Sequence, residues 1–343
     1  VDVKLSSDGR LAVYNAFGSV DVIGDVLGYY RSDGLTDLEA RLAELEAAGG
    51  SDADVVARLA DLEATVSDLE TAHAQLVAQN SELAARVDAL ETTTASMSVT
   101  EADGSPVVRF TGVNVQVVDG SGDTDGSVTG VGNLIVGYNA EVGSDADRRY
   151  GSHNLVVGDG HRYTSFGGLV AGFDNFLTGE SASVSGGSFN TAGGTYASVS
   201  GGTENHASGL YASISGGYDN GASGNYSAVS GGTDNIAYQA ASSVSGGVGN
   251  SANGYGASIL GGSGNTVTGA AATVSGGSFN SAAALYASVS GGTLNIADGE
   301  QASVSGGSDN TASGQGSSVS GGSDNTAAAL YASVSGGTLN IAD

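Results

Sequence analysis

The chain of 343 residues has no cysteine, no tryptophan and a single proline, and of its ten basic residues only Lys4 is lysine. Without cysteine there is neither a disulfide framework nor a thiolate metal site. Ten basic residues against 37 acidic ones leave a net charge of −27, so nucleic-acid backbones and anionic bilayers are repelled and drop out as partners. No apolar run approaches the roughly 20 residues that span a bilayer, so direct membrane insertion is not expected. No signal-peptide pattern opens the chain, which starts at Val1 and breaks off in mid-repeat at Asp343; a longer native chain is expected. What is plentiful is glycine, 58 residues of it, and these glycines are too regularly spaced to signal disorder.

Residues 1–34 read as the end of a small β domain. Val1, Val3 and Leu5, then Leu11 and Val13, alternate with polar residues around an Asp8-Gly9 turn, and a further strand follows in Gly18-Ser-Val-Asp-Val-Ile-Gly-Asp-Val-Leu-Gly-Tyr-Tyr30. Three short strands bury too little to stand alone, which implies an upstream domain.

From Leu35 the period changes, and residues 35–94 read as an α-helical coiled-coil stalk. Leu35, Leu38, Leu42 and Leu45 make a first helix that Gly49-Gly50 ends, leaving a hinge; Ser51 then caps a second helix. Along that helix Leu59, Val66, His73, Asn80 and Val87 fall at one core position, and Leu62, Leu69, Leu76, Leu83 and Leu90 at the other. Such unbroken heptads specify association with further copies. Residues 35–92 hold 13 acidic and 3 basic side chains, so the flanks repel and the seam must carry the association. Valine opposite leucine suits two strands, whereas the polar core residues His73 and Asn80 permit another number.

Residues 95–131 read as a β neck, with a turn at Asp103-Gly104 and alternation at Val113, Val115 and Val117. Asp119-Gly-Ser-Gly-Asp-Thr-Asp-Gly126 resembles an oxygen-rich calcium loop but lacks its closing glutamate, so a plain turn is expected and no metal.

From residue 181 to 343 the sequence repeats every 15 residues, the mark of a solenoid. Val184, Val199, Ile214 and Val229 begin an aliphatic column that continues to Val334 and predicts an interior ladder. Gly186 and Gly187, and their equivalents in every later turn, predict a corner that needs positive φ or has no room for Cβ. Asn190, Asn205, Asn220 and Asn235 open a column that runs to Asn340 and predicts stacked amides bonded from turn to turn. Small residues at Ala192 and its equivalents imply a thin, dry interior. Residues 132–180 carry rougher versions of the unit, in Asn133-Leu-Ile-Val-Gly137, Asn154-Leu-Val-Val-Gly158 and Gly168-Leu-Val-Ala-Gly172, and read as irregular capping turns. The fold class is therefore mostly β: a parallel β-solenoid on a coiled-coil stalk, with a short N-terminal β segment.

The turn Ser183-Val-Ser-Gly-Gly-Ser-Phe-Asn-Thr-Ala-Gly-Gly-Thr-Tyr-Ala197 resembles the head repeats of trimeric autotransporter adhesins. That resemblance covers about residues 130–343 and implies three chains, each winding a left-handed β-roll, packed above a three-stranded coiled coil. This sequence departs from the family in its 15-residue repeat, where 14 is usual, and in a stalk that precedes the head. The order of stalk then head resembles phage tail fibres equally well.

Residues 181–343 hold no lysine, arginine or cysteine, and His206 is their one histidine, so no turn offers a nucleophile with a base and an orienting partner. A non-enzymatic chain without cofactor is expected. His153 and His161 with Arg148, Arg149 and Arg162 form the one basic cluster, read as solvated in a loop or paired with acidic neighbours of another chain in preference to binding a ligand. Tyr196, Tyr211, Tyr226, Tyr286 and Tyr331 share a register and should line an edge, packing between protomers or facing a ligand. Ser183 and Ser185 should point outward as a hydroxyl array resembling the threonine arrays of ice-binding solenoids. The function expected is a secreted, cell-surface fibre, an adhesin or structural filament, most simply a homotrimer, whose partners are its own copies and a host, matrix or cell-surface ligand. A phage or injection-device fibre and an ice-binding solenoid are the alternatives.

Overall fold

The computed structural model describes residues 2–5, 11–14, 32–47, 52–140 and 148–343. The Asp8-Gly9 turn, the strand expected over residues 18–30, the break at Gly49-Gly50 and the Ser51 cap lie outside the described residues. The chain divides into two compact units, residues 1–115 and 116–343.

In the first unit Asp2–Leu5 pairs antiparallel with Leu11–Tyr14. Helix α1 spans Ser32–Ala47 and helix α2 spans Asp52–Thr94. α2 contains neither glycine nor proline, and Asp52 and Asp54 in its first turn complement the helix dipole. Its 43 residues reach about 65 Å at 1.5 Å per residue. α1 runs back alongside the start of α2: Arg41 pairs with Asp61, and Arg58 donates to the Arg41 carbonyl at 3.3 Å and to Glu44 at 3.4 Å. Leu38, Leu42 and Leu45 share a cleft with Leu62. Residues 38–47 therefore fold back along α2 instead of extending the line of that helix, because the nearest apolar face for their leucines is that of α2. Elsewhere the seam is open. No residue of α2 is buried, and Leu69, Leu76 and Leu90 are each more than half exposed. His73 is exposed, and Asn80 and Leu83 only half-buried.

Met97–Ala102 and Ser105–Phe110 then form a hairpin, with Asp103 and Gly104 at φ +50° and +77°, both positive as a type I′ turn demands. Val113, Val115 and Val117 lie in no strand, a departure from the alternation read in the neck.

The second unit is a parallel β-solenoid. From Leu155 onward each turn gives one short strand to each of two sheets, of 14 strands running from Leu134–Val136 to Ser333–Val334 and of 13 strands running from Arg162–Tyr163 to Ile341–Ala342. We call them the valine and alanine sheets. Registers step by whole turns, Ser183 to Ser198 to Ser213 in one and Thr191 to His206 to Gly221 in the other. A third line of single bridges links Ser188 to Thr203 and onward to Thr338.

Four residues per turn point inward. Val184, Ala192 and Asn190 are fully buried, and so, within a percent, is Ala182. Two strands of two residues leave space for one β-branched side chain between small neighbours, which fixes the composition of the core. The lower turns are built differently: Leu177 and Tyr163 replace alanine, and room is made by Gly168, where a Cβ would run into the Leu177 side chain.

The register also locates the fifteenth residue. Leu155, Leu169 and Ser183 follow at intervals of 14, whereas Ser183 and Ser198 are 15 apart. Val170 stands three residues before its bridge residue Phe173, and Val184 four before Ser188. Asn190 reaches the Gly186 carbonyl as Asn175 reaches that of Ala171, so Gly186 keeps the place of Ala171 and the added residue is Ser185. A Cβ on Gly186 would meet nothing nearer than the Ser200 carbonyl at 3.9 Å. Gly187, which continues the column of Gly158 and Gly172, has φ +79° and no room, since a Cβ would strike the Gly202 carbonyl oxygen. Of the two reasons given for the glycine pair, both hold at Gly187 and neither at Gly186.

Candidate functional site

The interior amides form one continuous ladder. Asn205 donates its backbone N–H and its Nδ2 to Asn190 Oδ1, both at 3.0 Å, and Nδ2 also reaches the carbonyls of Gly201 and Gly217 at 3.1 and 3.0 Å. Asn220 and Asn235 repeat the pattern, Asn235 lacking only the amide bond down to Asn220 Oδ1, and it runs on to Asn340. Each carboxamide thus satisfies a backbone N–H that the short strands leave without a carbonyl, which is the condition for burying it.

Below Asn190 come Asn175 and then His161, an imidazole in the place of an amide. Its Nδ1 accepts the Asn175 backbone N–H at 3.3 Å, and Nε2 lies 3.0 Å from the Val157 carbonyl. Under it, Asn139 Oδ1 accepts the His161 N–H at 2.7 Å. Reading His161 as part of a solvated basic cluster requires correction: it is fully buried. The signal was its spacing of 14 residues from Asn175, the repeat length of the lower turns.

The rest of that cluster is also engaged internally. Arg162 pairs with Asp174 at 2.8 Å, Arg148 and Arg162 lie 5.4 and 5.2 Å from the centre of the Phe176 ring, and Arg149 Nε donates to the His161 carbonyl at 3.0 Å. His153 accepts the Asp119 backbone N–H at 3.2 Å.

Asp119 is held by its own loop. It accepts the Ser121 hydroxyl at 2.6 Å, the Ser121 N–H at 2.8 Å and the Thr129 hydroxyl at 2.9 Å. These hydrogen bonds, that of the Ser121 hydroxyl foremost, lower its pKa from the ordinary 3.8 to about 2. A carboxylate with a lowered folded pKa stabilises the fold above its ordinary pKa and stops doing so as pH falls. Melting temperature should therefore drop between about pH 4 and pH 2, and Asp119→Asn should melt lower than the parent at pH 7 while losing less across that window. Among the described residues no three His, Cys, Asp or Glu side chains are placed to hold a metal ion.

The outer surface is the remaining candidate. The valine sheet presents Ser183 and Ser185 and their equivalents outward, the former half-buried and the latter exposed. Neighbouring hydroxyls bond along the column, Ser243 to Ser258 at 3.2 Å and Ser318 to Ser333 at 3.1 Å. Leu260 is the one large apolar interruption, and neither column carries a charge.

At the corner beside this face stand the five tyrosines, all at positive φ between 56° and 60°. Only the first three are consecutive. Tyr196 and Tyr211 stack at 4.8 Å and 12°, Tyr211 and Tyr226 at 5.2 Å and 13°, and stacking of this kind is worth about 0.5–1.5 kcal/mol per pair, which offsets part of the cost of the left-handed backbone. Tyr286 and Tyr331 stand apart, Tyr331 lying over Gly316. The acidic residues Asp219, Asp234, Asp309 and Asp324 occupy a second column of positive φ, 52° to 58°, which aspartate tolerates better than most residues. Their repetition reflects backbone shape. No protein-family model matches the chain, and no match is found among the curated proteins. No helix among the described residues is long and apolar enough to cross a membrane.

Proposed function

We propose that the chain is a non-enzymatic extracellular fibre in which parallel copies, three of them, join along α2 and hold up β-solenoid heads that present a repeated surface to a host, matrix or cell-surface ligand. The observation that carries this reading is the open heptad seam of α2: ten core positions from Leu59 to Leu90, with no residue of the helix buried. In-register parallel chains set Asn80 against Asn80 and His73 against His73. Other registers oppose them to leucine or valine and leave a buried amide unpaired.

Three further features support it. The head resembles the adhesin heads, and its lower turns have their 14-residue length. The solenoid interior is filled by side chains and backbone bonds, which suits a rigid presenter better than a reaction chamber. The uncharged serine face and the tyrosine corner are the surfaces a strongly acidic chain can bring against another body at least electrostatic cost.

Sedimentation of the whole chain at moderate and high salt tests this. Three chain masses are expected, with association strengthening as salt screens the acidic flanks. Leu76→Asp is expected to give single chains. A single-chain mass for the parent protein would overturn the stalk, and two chains would discard the trimer.

A further inference from the structure

We infer that His161 is the one acid-sensitive rung of the amide ladder, and that its protonation unfastens the base of the solenoid. A carboxamide offers an acceptor and donors at any pH, whereas an imidazole offers both only as a neutral tautomer. His161 mimics asparagine as the Nε2–H tautomer. Its Nδ1 takes the place of Oδ1 in accepting the Asn175 N–H at 3.3 Å, and its Nε2, 3.0 Å from the Val157 carbonyl, takes the place of the Nδ2 that in Asn190 lies 3.3 Å from Gly186. The ring is closely packed. A Cβ on Gly158 would already fall 3.0 Å from Nε2.

A proton on Nδ1 removes the acceptor, turns it as a donor against the Asn175 N–H, and places a charge in a closed interior. The charged and titratable groups around it do not neutralise that charge. Asp159 favours the cation. Arg149, bonded to the His161 carbonyl, opposes it. Arg162 is paired with Asp174, and burial pushes the Tyr163 phenol up, so that it stays neutral. Burial, the largest influence, holds the His161 pKa below its ordinary 6.5. A base so shifted takes up its proton first in the opened state. Stability at the base is therefore complete above pH 6.5 and declines as pH falls toward the folded pKa, the opening constant rising by up to about tenfold per pH unit.

Hydrogen exchange of the whole chain at pH 7.5 and 5.0, corrected for intrinsic rates, tests the inference. The Asn175 and Arg162 amides should exchange about tenfold faster relative to those of Asn250 and Asn265 at the lower pH, and His161→Asn, which restores an amide rung, should abolish the difference. Equal protection at both pH values in the parent, or the same acid loss in His161→Asn, would overturn it. Should that variant fail to fold, the nitrogen spectrum of histidine-labelled parent protein at pH 7.5 decides. An unprotonated Nδ1 with a protonated Nε2 is expected for the buried ring, and an Nδ1–H tautomer or an imidazolium would sink the proposal.

Discussion

Asn235→Leu should destabilise the solenoid by about 2–6 kcal/mol, because the replacement fills the space but strands the polar groups that the carboxamide serves. Asn235 is fully buried. Its Oδ1 accepts the Asn250 N–H at 3.1 Å and the Asn250 amide at 3.0 Å, and its Nδ2 donates to the carbonyls of Gly231 and Gly247 at 3.0 and 2.9 Å. With leucine, the buried Asn250 N–H has nothing to bond and no water to reach, and the half-buried Gly231 carbonyl loses its donor. The denaturant midpoint should fall, and because turns touch only their neighbours, hydrogen-exchange protection should collapse first in the turns containing residues 235 and 250. Asn235→Asp separates bonding from shape. Its carboxylate keeps the acceptor and loses the donor, so it should be as harmful at pH 7 and partly recover in acid, where the neutral acid donates again. An Asn235→Leu protein that melts with its parent would mean that the ladder is ornamental.

The second large effect concerns two glycines one residue apart. Gly247→Ala is expected to cost about 3 kcal/mol or more, since φ is +95° and the new Cβ would strike the Gly262 carbonyl oxygen in a backbone that cannot move without breaking the next rung. Gly246→Ala should change stability by no more than about 0.5 kcal/mol, because a Cβ there meets nothing within 4 Å. Paired thermal melts of the two variants suffice. Equal losses would show that the pair acts as one flexible corner instead of a free position beside a fixed one.

Fixed periodicity made the interior legible. Val184, Asn190 and Ala192 recur without regard to what surrounds them, so their columns announce a ladder before any neighbour is known. Ala182 was equally visible but overlooked, since a small residue next to an outward serine carries no signal of its own. His161 was obscured for a different reason: a pattern search looks for the same residue, while the rung requires only an acceptor and a donor held the right distance apart. It sits among three arginines, which made charge look like the theme. The glycine pair was read as one feature although only Gly187 is under constraint, because sequence shows recurrence and not the Cβ that fails to fit. In the first unit heptads identify a helix face but not what covers it. Leu38, Leu42 and Leu45 find α2 of their own chain, and Leu69, Leu76 and Leu90 stay exposed. The tyrosine register was readable, yet a stack forms only where three consecutive turns supply a ring.

The insensitivity of each turn to its position has a consequence for how such a protein can change. Every regular turn asks the same of the turn above and below: one N–H, one carboxamide, one valine. Removing or adding 15 residues therefore joins equivalent surfaces and leaves no rung unpaired, at a change of about 4.8 Å in length per turn. Such a step is compatible with the sequence itself, in which residues 282–298 recur unchanged as residues 327–343, 45 residues or three turns later. Length is thus heritable in whole-number steps, and a solenoid of this kind can grow or shrink without once testing a new fold.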